Sequence, residues 1–115
     1  MIDVKKRTID SVTVLDLFGT LDLDGCNLLK EKLQELRQSG EQKIVLNCEK
    51  LESLQNTVLP NLVTPVRALV VTGGKIAFCG MNGSVAKAIQ SSMLDPIIQT
   101  APSVEEGVAL IEEEA

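Results

Sequence analysis

Short apolar runs alternate along the chain with longer amphipathic stretches, and this alternation predicts strands and helices in turn. Residues 2–9 and 12–18 are joined by the turn residues Asp10 and Ser11, a pattern that predicts a β-hairpin. Two unbroken apolar runs, KIVLNC and KIAFC, are typical of parallel strands buried on both faces. The predicted strands are therefore residues 2–9, 12–18, 43–48 and 75–79, with a short edge strand at Ile97 and Ile98.

The first helix is predicted over residues 25–38, after a turn at residues 19–22, because its apolar positions recur at helical spacing. Asp24 is the predicted N-cap. Gly40 ends the helix, since glycine adopts the left-handed C-terminal conformation without steric cost. The residues expected to face the core are Cys26, Leu29, Leu33 and Leu36.

A polar corner joins the third strand to the second helix within the stretch LESLQNTVLPNLVTPVR, residues 51–67. Asn56 or Thr57 can accept a hydrogen bond from a following backbone N–H, so either is a candidate N-cap. Pro65 lies inside the predicted helix, where it either bends the helix or restarts it with Thr64 as a new cap; one bent helix is the favoured interpretation. The predicted apolar stripe consists of Leu59, Leu62, Val63, Val66, Leu69 and Val70.

Two further helices complete the predicted order of elements. A helix over residues 84–93 should turn Val85, Ile89 and Met93 inward and stop at Asp95-Pro96. Ser103 and Glu106 form a capping box for a last helix through residue 113. The order β-β-α-β-α-β-α-(β)-α predicts an α/β sandwich with one mixed, mostly parallel sheet of four or five strands and about four helices. At 115 residues, the chain is expected to be a single domain, residues 1–115.

Composition narrows the function classes. The net charge of −5 and the absence of Lys/Arg clusters argue against nucleic-acid binding. No apolar stretch approaches the length of a membrane span, and residues 1–10 lack the apolar core of a signal peptide. We therefore expect a cytoplasmic protein with no direct membrane insertion.

Catalytic and metal chemistry have few candidate residues. Cys26, Cys48 and Cys79 are odd in number and far apart, so they read as small core residues rather than disulfide partners or zinc ligands. The chain has no histidine, which removes the commonest general base. Asp22 and Asp24 are better explained as helix caps than as an acid/base pair. No enzyme activity, metal or cofactor is predicted.

Several short motifs, in order along nearly the whole chain, resemble those of a STAS domain. They are Gly19-Thr20-Leu21-Asp22 after the second strand, KIVLNC leading to LESLQNTVLPNL, Gly73-Gly74-Lys75 before the next strand, and the closing Ser103-Val104-Glu105-Glu106. This is the family of bacterial anti-sigma factor antagonists and of sulphate-transporter tails. The resemblance implies the sandwich fold and a signalling role in transcription regulation through protein–protein interaction.

The resemblance also assigns a phosphorylation-site equivalent. In the family, the corner reads Asp-Ser-Ser/Thr-Gly-Leu, and its first Ser is phosphorylated by a kinase-like anti-sigma factor. Gln55, Asn56, Thr57 and Val58 occupy the first four of these positions here. Asn56 has no hydroxyl to phosphorylate, so the switch should be missing or moved. Thr57 is the adjacent hydroxyl, and a structural role at the helix terminus is the favoured interpretation for it.

The expected function is binding of a kinase-like anti-sigma factor or related regulator through the corner. Alternatives are a regulatory STAS subunit of a membrane transporter and a domain that binds a small ligand or nucleotide; a homodimer is left open. The strands before these loops should be parallel, so the loops should meet at one edge of the sheet. The predicted contact residues are Asp22, Asp24, Gln55, Asn56, Thr57, Asn61, Thr64, Met81, Asn82 and Ser84.

Overall fold

A computed structural model describes residues 2–113, and within this range five strands form one sheet in the order β1-β2-β3-β4-β5. β1 is antiparallel to β2, whereas β2, β3, β4 and β5 pair in parallel. The predicted mixed, mostly parallel sheet is therefore confirmed. The strands are β1 (Ile2–Ile9), β2 (Val12–Leu21), β3 (Lys43–Leu54), β4 (Lys75–Cys79) and β5 (Gln99–Ala101).

Helices cover both faces of the sheet, as the predicted α/β sandwich requires. The core on one face is built from α1, α2 and α3, and a second, smaller core on the other face is built from α4. Two 3-10 helices, Asn56–Val58 and Asp95–Ile97, lie before α2 and before β5. The α-helices are α1 (Leu23–Gln38), α2 (Pro60–Val71), α3 (Gly83–Gln90) and α4 (Val104–Glu113).

The central strands are buried on both faces, as their unbroken apolar runs predict. Ile44 and Leu46 of β3 contribute to the larger core, and Val45 between them contributes to the smaller one. Because side chains alternate along a strand, an apolar residue is needed at every position of such a strand. α1 confirms its predicted inward positions, since Cys26, Leu29, Leu33 and Leu36 are all buried.

β2 and β3 run further than predicted. Gly19 has φ of 98°, and the pairing of β2 with β3 shifts register on either side of Phe18 and Gly19. The irregularity re-aims the strand without ending it, so the predicted turn at residues 19–22 is wrong. β3 pairs with β4 only as far as Asn47, whereas it pairs with β2 as far as Leu54.

Asp22, and not the predicted Asp24, caps α1. The carboxylate oxygen Oδ1 of Asp22 accepts the Gly25 N–H at 2.8 Å, while Asp24 lies exposed in the first turn. The two residues have the same side chain and lie only two positions apart, so the sequence alone gives them similar capping preferences. The extension of β2 to Leu21 decides between them, because it places Asp22 at the last extended residue before the helix.

We expect Asp22→Ala to lower the melting temperature by several °C and the matched change Asp24→Ala to leave it nearly unchanged. The Gly25 N–H holds the pKa of Asp22 below its usual value. The contribution of the cap is therefore complete above an unfolded-state pKa of about 4 and is lost as the pH falls through the lower folded-state pKa. Thermal unfolding of both variants at pH 7 and pH 2 measures this. An equal effect of the two changes at pH 7 would contradict the assignment.

The start of α2 also differs from the prediction. Residues Asn56–Val58 form a 3-10 helix with no side-chain cap, and α2 begins at Pro60, so neither Asn56 nor Thr57 is the N-cap. α2 continues through Pro65, which confirms one helix rather than a restart at Thr64. Pro60 fits the first helical position because its missing N–H would have no intrahelical partner there.

The helix after β4, α3, ends earlier than predicted. Asn82 caps α3 by accepting the Val85 N–H at 2.9 Å, and the helix ends at Gln90. Val85 and Ile89 point inward as predicted, but Met93 is 68% exposed and Leu94 is buried in its place. Because Asp95–Ile97 forms a 3-10 turn, the edge strand follows at Gln99–Ala101 rather than at Ile97 and Ile98.

The last helix starts where its capping motif predicts, with one of the two hydrogen bonds of a capping box. The Glu106 N–H donates to Oγ of Ser103 at 3.2 Å, and α4 follows from Val104. Its buried side chains cover the smaller core; they are Val104, Val108 and Ile111. Val70, assigned to the stripe of α2, is instead partly exposed at the end of that helix.

Candidate functional site

Three loops meet at the edge of the sheet where the parallel strands β2, β3 and β4 end; we call it the carboxyl edge, residues 22–24, 55–58 and 80–84. The Gln55 N–H donates to the Leu21 carbonyl oxygen at 3.0 Å. Nδ2 of Asn82 donates to the Leu51 carbonyl oxygen at 3.5 Å. The loops are thus adjacent, at the edge where open α/β folds place their binding sites.

The corner, residues 55–58, combines exposed polar side chains with buried apolar anchors. Gln55, Asn56 and Thr57 are exposed, whereas Val58 and the following Leu59 are only 5% and 2% exposed. The apolar pair packs in the larger core and holds the backbone of the corner in place. The polar side chains are therefore displayed from a fixed position.

The polar side chains of the corner make no internal bonds that would compete with a ligand. Asn56 and Thr57 have no side-chain hydrogen bond to any residue of the range 2–113. The backbone, by contrast, is tied to α1, because Sγ of Cys26 donates to the Val58 carbonyl oxygen at 3.6 Å. The corner can therefore bind a partner without first breaking contacts of its own.

The other predicted contact residues fall into three groups. Asp22 and Asn82 are helix caps, and the Oδ1 atom of each already accepts a hydrogen bond from a backbone N–H. Met81 is half-buried and packs against the larger core. Four more are exposed side chains on or near the carboxyl edge: Asp24, Asn61, Thr64 and Ser84.

A groove runs between the corner and α3. It consists of two adjoining cavities of about 400 and 320 Å³, which share Asn56, Ala88 and Ser91. We call it the α3 groove; its remaining lining residues are Leu54, Leu59, Pro60, Ser84, Lys87, Ser92 and Met93. Of the predicted contact residues, it brings together only Asn56 and Ser84.

Eight of the ten groove residues were not predicted as contact residues, among them Lys87, Ser91 and Met93. Lys87 follows Ser84 by three positions, so helical spacing places both on one side of α3. That spacing could have extended the predicted surface along the helix. Met93 was assigned to the core, and only the early end of α3 places it at the groove.

The STAS domain family model matches residues 3–107 of the chain. The chain belongs to the STAS domain family. This confirms the resemblance drawn from the sequence motifs. No curated protein sequence matches the chain.

Solved structures share the fold of this STAS domain at low sequence identity. TM1081 of Thermotoga maritima matches with a TM-score of 0.83 at 22% identity, over 95% of this chain and 94% of that chain. An anti-sigma factor antagonist from Mycobacterium paratuberculosis matches with a TM-score of 0.84 at 16% identity, over 97% of this chain and 95% of that chain. SpoIIAA, a Bacillus cell fate determinant in its phosphorylated form, matches with a TM-score of 0.71 at 21% identity, over 95% of this chain and 99% of that chain.

The thiols of this STAS domain lie in the core. Cys26, Cys48 and Cys79 are free and buried. Desolvation raises the pKa of the Cys26 thiol to about 11 and that of the Cys48 thiol to about 12. Because the thiolate is the nucleophile and the metal ligand, neither group is suited to catalysis at neutral pH.

Residues 2–113 contain neither a metal-binding cluster nor a membrane-spanning helix. No group of three or more Cys, Asp or Glu side chains there is arranged to hold a metal ion. No helix in the same range is long and apolar enough to cross a bilayer.

Proposed function

We propose that this STAS domain is a non-enzymatic, cytoplasmic interaction module of the anti-sigma factor antagonist type. Its partner is a kinase-like anti-sigma factor or a related regulator, and the corner is the centre of the contact. The contact extends to the exposed side chains of Asp24, Asn61, Thr64 and Ser84 on the neighbouring loops and helix. The anti-sigma factor antagonists among the structures of the same fold support this class of partner.

One observation carries the proposal: the corner holds exposed polar side chains with no hydrogen-bond partner among residues 2–113, on a backbone anchored by Val58 and Leu59. A surface prepared in this way loses little conformational freedom when a partner binds, which favours affinity. A catalytic role would need a general base or an activated nucleophile. The chain has no histidine, and its thiols are buried.

Asn56 makes the docking surface insensitive to phosphorylation at that position. Its carboxamide has no hydroxyl to accept a phosphoryl group, and it is neutral. SpoIIAA has been solved in both unphosphorylated and phosphorylated forms. A phosphoryl group would add about −1.5 to −2 charge at the centre of the contact, enough to end binding to a surface that fits a neutral group. We propose that this chain docks without that switch.

The proposal is tested by placing a carboxylate at the corner. Tagged wild-type protein, Thr57→Glu and the matched control Thr8→Glu are used for co-purification from the cells in which the chain occurs, followed by affinity measurement with the recovered partner. Thr8 is exposed on β1, near the opposite edge of the sheet. We expect Thr57→Glu to weaken binding about tenfold or more, because it buries an unpaired charge in the contact, and Thr8→Glu to bind as wild type.

Intact-mass analysis of the co-purified chain tests the missing switch. We expect the unmodified mass, with no addition of phosphate. Equal recovery of a partner by all three proteins, or recovery of none by the wild type, would contradict the docking role of the corner. A phosphate at Thr57 would contradict docking without a switch.

A further inference from the structure

The α3 groove is a positively charged site on an acidic protein. The whole chain carries 16 acidic and 11 basic residues. Lys87 nevertheless lines the groove, and no Asp or Glu among residues 2–113 does. Among the described residues, Lys87 has no carboxylate within 4.0 Å, since the ion pairs there involve other lysines and Arg7. An unpaired cation in a groove free of acids attracts an anionic group.

The start of α3 adds positive potential beside Lys87. Ser84, in the first turn of α3, lines the same part of the groove as Lys87. The positive end of a helix favours a carboxylate nearby.

The other end of the groove is apolar. Met93 is 68% exposed there, beside Pro60 and Leu59. A methionine side chain is flexible and adapts to different apolar partners, and an exposed one next to a cavity is typical of an interaction site. The groove thus offers an anion subsite at Lys87 and an apolar subsite at Met93, joined through Asn56, Ala88 and Ser91.

We infer that the α3 groove receives a segment of a protein partner in which a carboxylate lies beside an apolar side chain. The carboxylate pairs with the Lys87 ammonium, and the apolar side chain packs between Pro60 and Met93. This inference rests on the proposed function, because the groove adjoins the corner through Asn56. It adds the chemistry of the partner: the docking segment is acidic and apolar, and a basic segment is repelled.

The inference is tested with peptides of defined charge, independently of the natural partner. The ¹⁵N-labelled chain is titrated with acetylated and amidated peptides of alternating glutamate and leucine, and with the same peptides carrying glutamine or lysine in place of glutamate. We expect amide shifts in α3 and the corner with the glutamate peptide. The glutamine peptide should bind about threefold or more weakly, and the lysine peptide should produce no shift at the groove.

Variants identify the two subsites. Lys87→Ala should weaken binding of the glutamate peptide by about threefold or more without affecting binding of the glutamine peptide. The control Lys30→Ala removes an exposed lysine of α1 and should leave binding of both peptides unchanged. Met93→Ala should weaken both peptides alike. Unchanged amide shifts at residues outside α3 and the corner show that each variant is folded.

Three results would overturn the inference: equal binding of the three peptides, shifts that map outside the groove, or an unchanged affinity of Lys87→Ala for the glutamate peptide. The failure of the proposed function is separate. It is registered by the Thr57→Glu capture experiment, which uses the natural partner and a residue outside the groove lining.

Discussion

Replacing Leu62 with alanine is expected to lower the free energy of unfolding by about 2–5 kcal/mol. Leu62 is fully buried on α2 and belongs to the larger core, which α1 and α3 also line. Truncation removes the burial of its side chain and leaves a cavity that the surrounding helices and sheet fill only in part. Urea unfolding followed by circular dichroism measures the change.

Asn61→Ala is the matched control, because Asn61 is the neighbouring residue and is exposed. Its effect should lie within about 0.5 kcal/mol of zero. The pair therefore separates burial from helix propensity within one turn of α2. A loss below about 1 kcal/mol for Leu62→Ala would contradict the position of α2 against the sheet.

Gly107→Ala should lower the free energy of unfolding by about 1–3 kcal/mol. A Cβ at position 107 would overlap Sγ of Cys79, with the Val45 side chain close behind it. Within the described range, α4 alone supplies the helical side of the smaller core, so an added methyl group has to push this helix away from β3 and β4. Helix propensity alone would predict the opposite effect, a gain in stability, because alanine is a better helix former than glycine.

Removing the sulfur tests whether this contact is the cause. In the double variant Gly107→Ala with Cys79→Ala, we expect a coupling free energy that offsets about half or more of the loss caused by Gly107→Ala. Gly83→Ala is the control, since a Cβ there meets no atom within 4 Å; it should be neutral or stabilise by up to about 1 kcal/mol. Additive effects at positions 107 and 79 would show that the overlap is not the source of the instability.

The periodicity of apolar residues was sufficient to predict the architecture. Ile44–Leu46 of β3 and Ile76–Cys79 of β4 are apolar at every position, and only a strand covered on both faces needs that pattern. The amphipathic period of α1 likewise placed its four inward residues correctly. Both patterns arise from burial, which imposes its period directly on the order of the residues.

The details of the candidate site escaped the sequence because they depend on where neighbouring strands end. The N-cap of α1 moved from Asp24 to Asp22 when β2 proved longer, and Asn56 lost its predicted capping role when β3 ran to Leu54. A local pattern gives each of these residues a similar capping preference. Strand pairing across the sheet selects among them.

The sequence by itself determined the fold class, the order of the elements, the family and the position of the corner, because these follow from local periodicity and short motifs. Only the tertiary structure decided that Lys87 and Met93 lie beside Asn56 and that no carboxylate of residues 2–113 lines the groove between them. The physical reason is that the corner and α3 are separated along the chain by α2 and β4, so that parallel pairing of β3 and β4 has to bring them together.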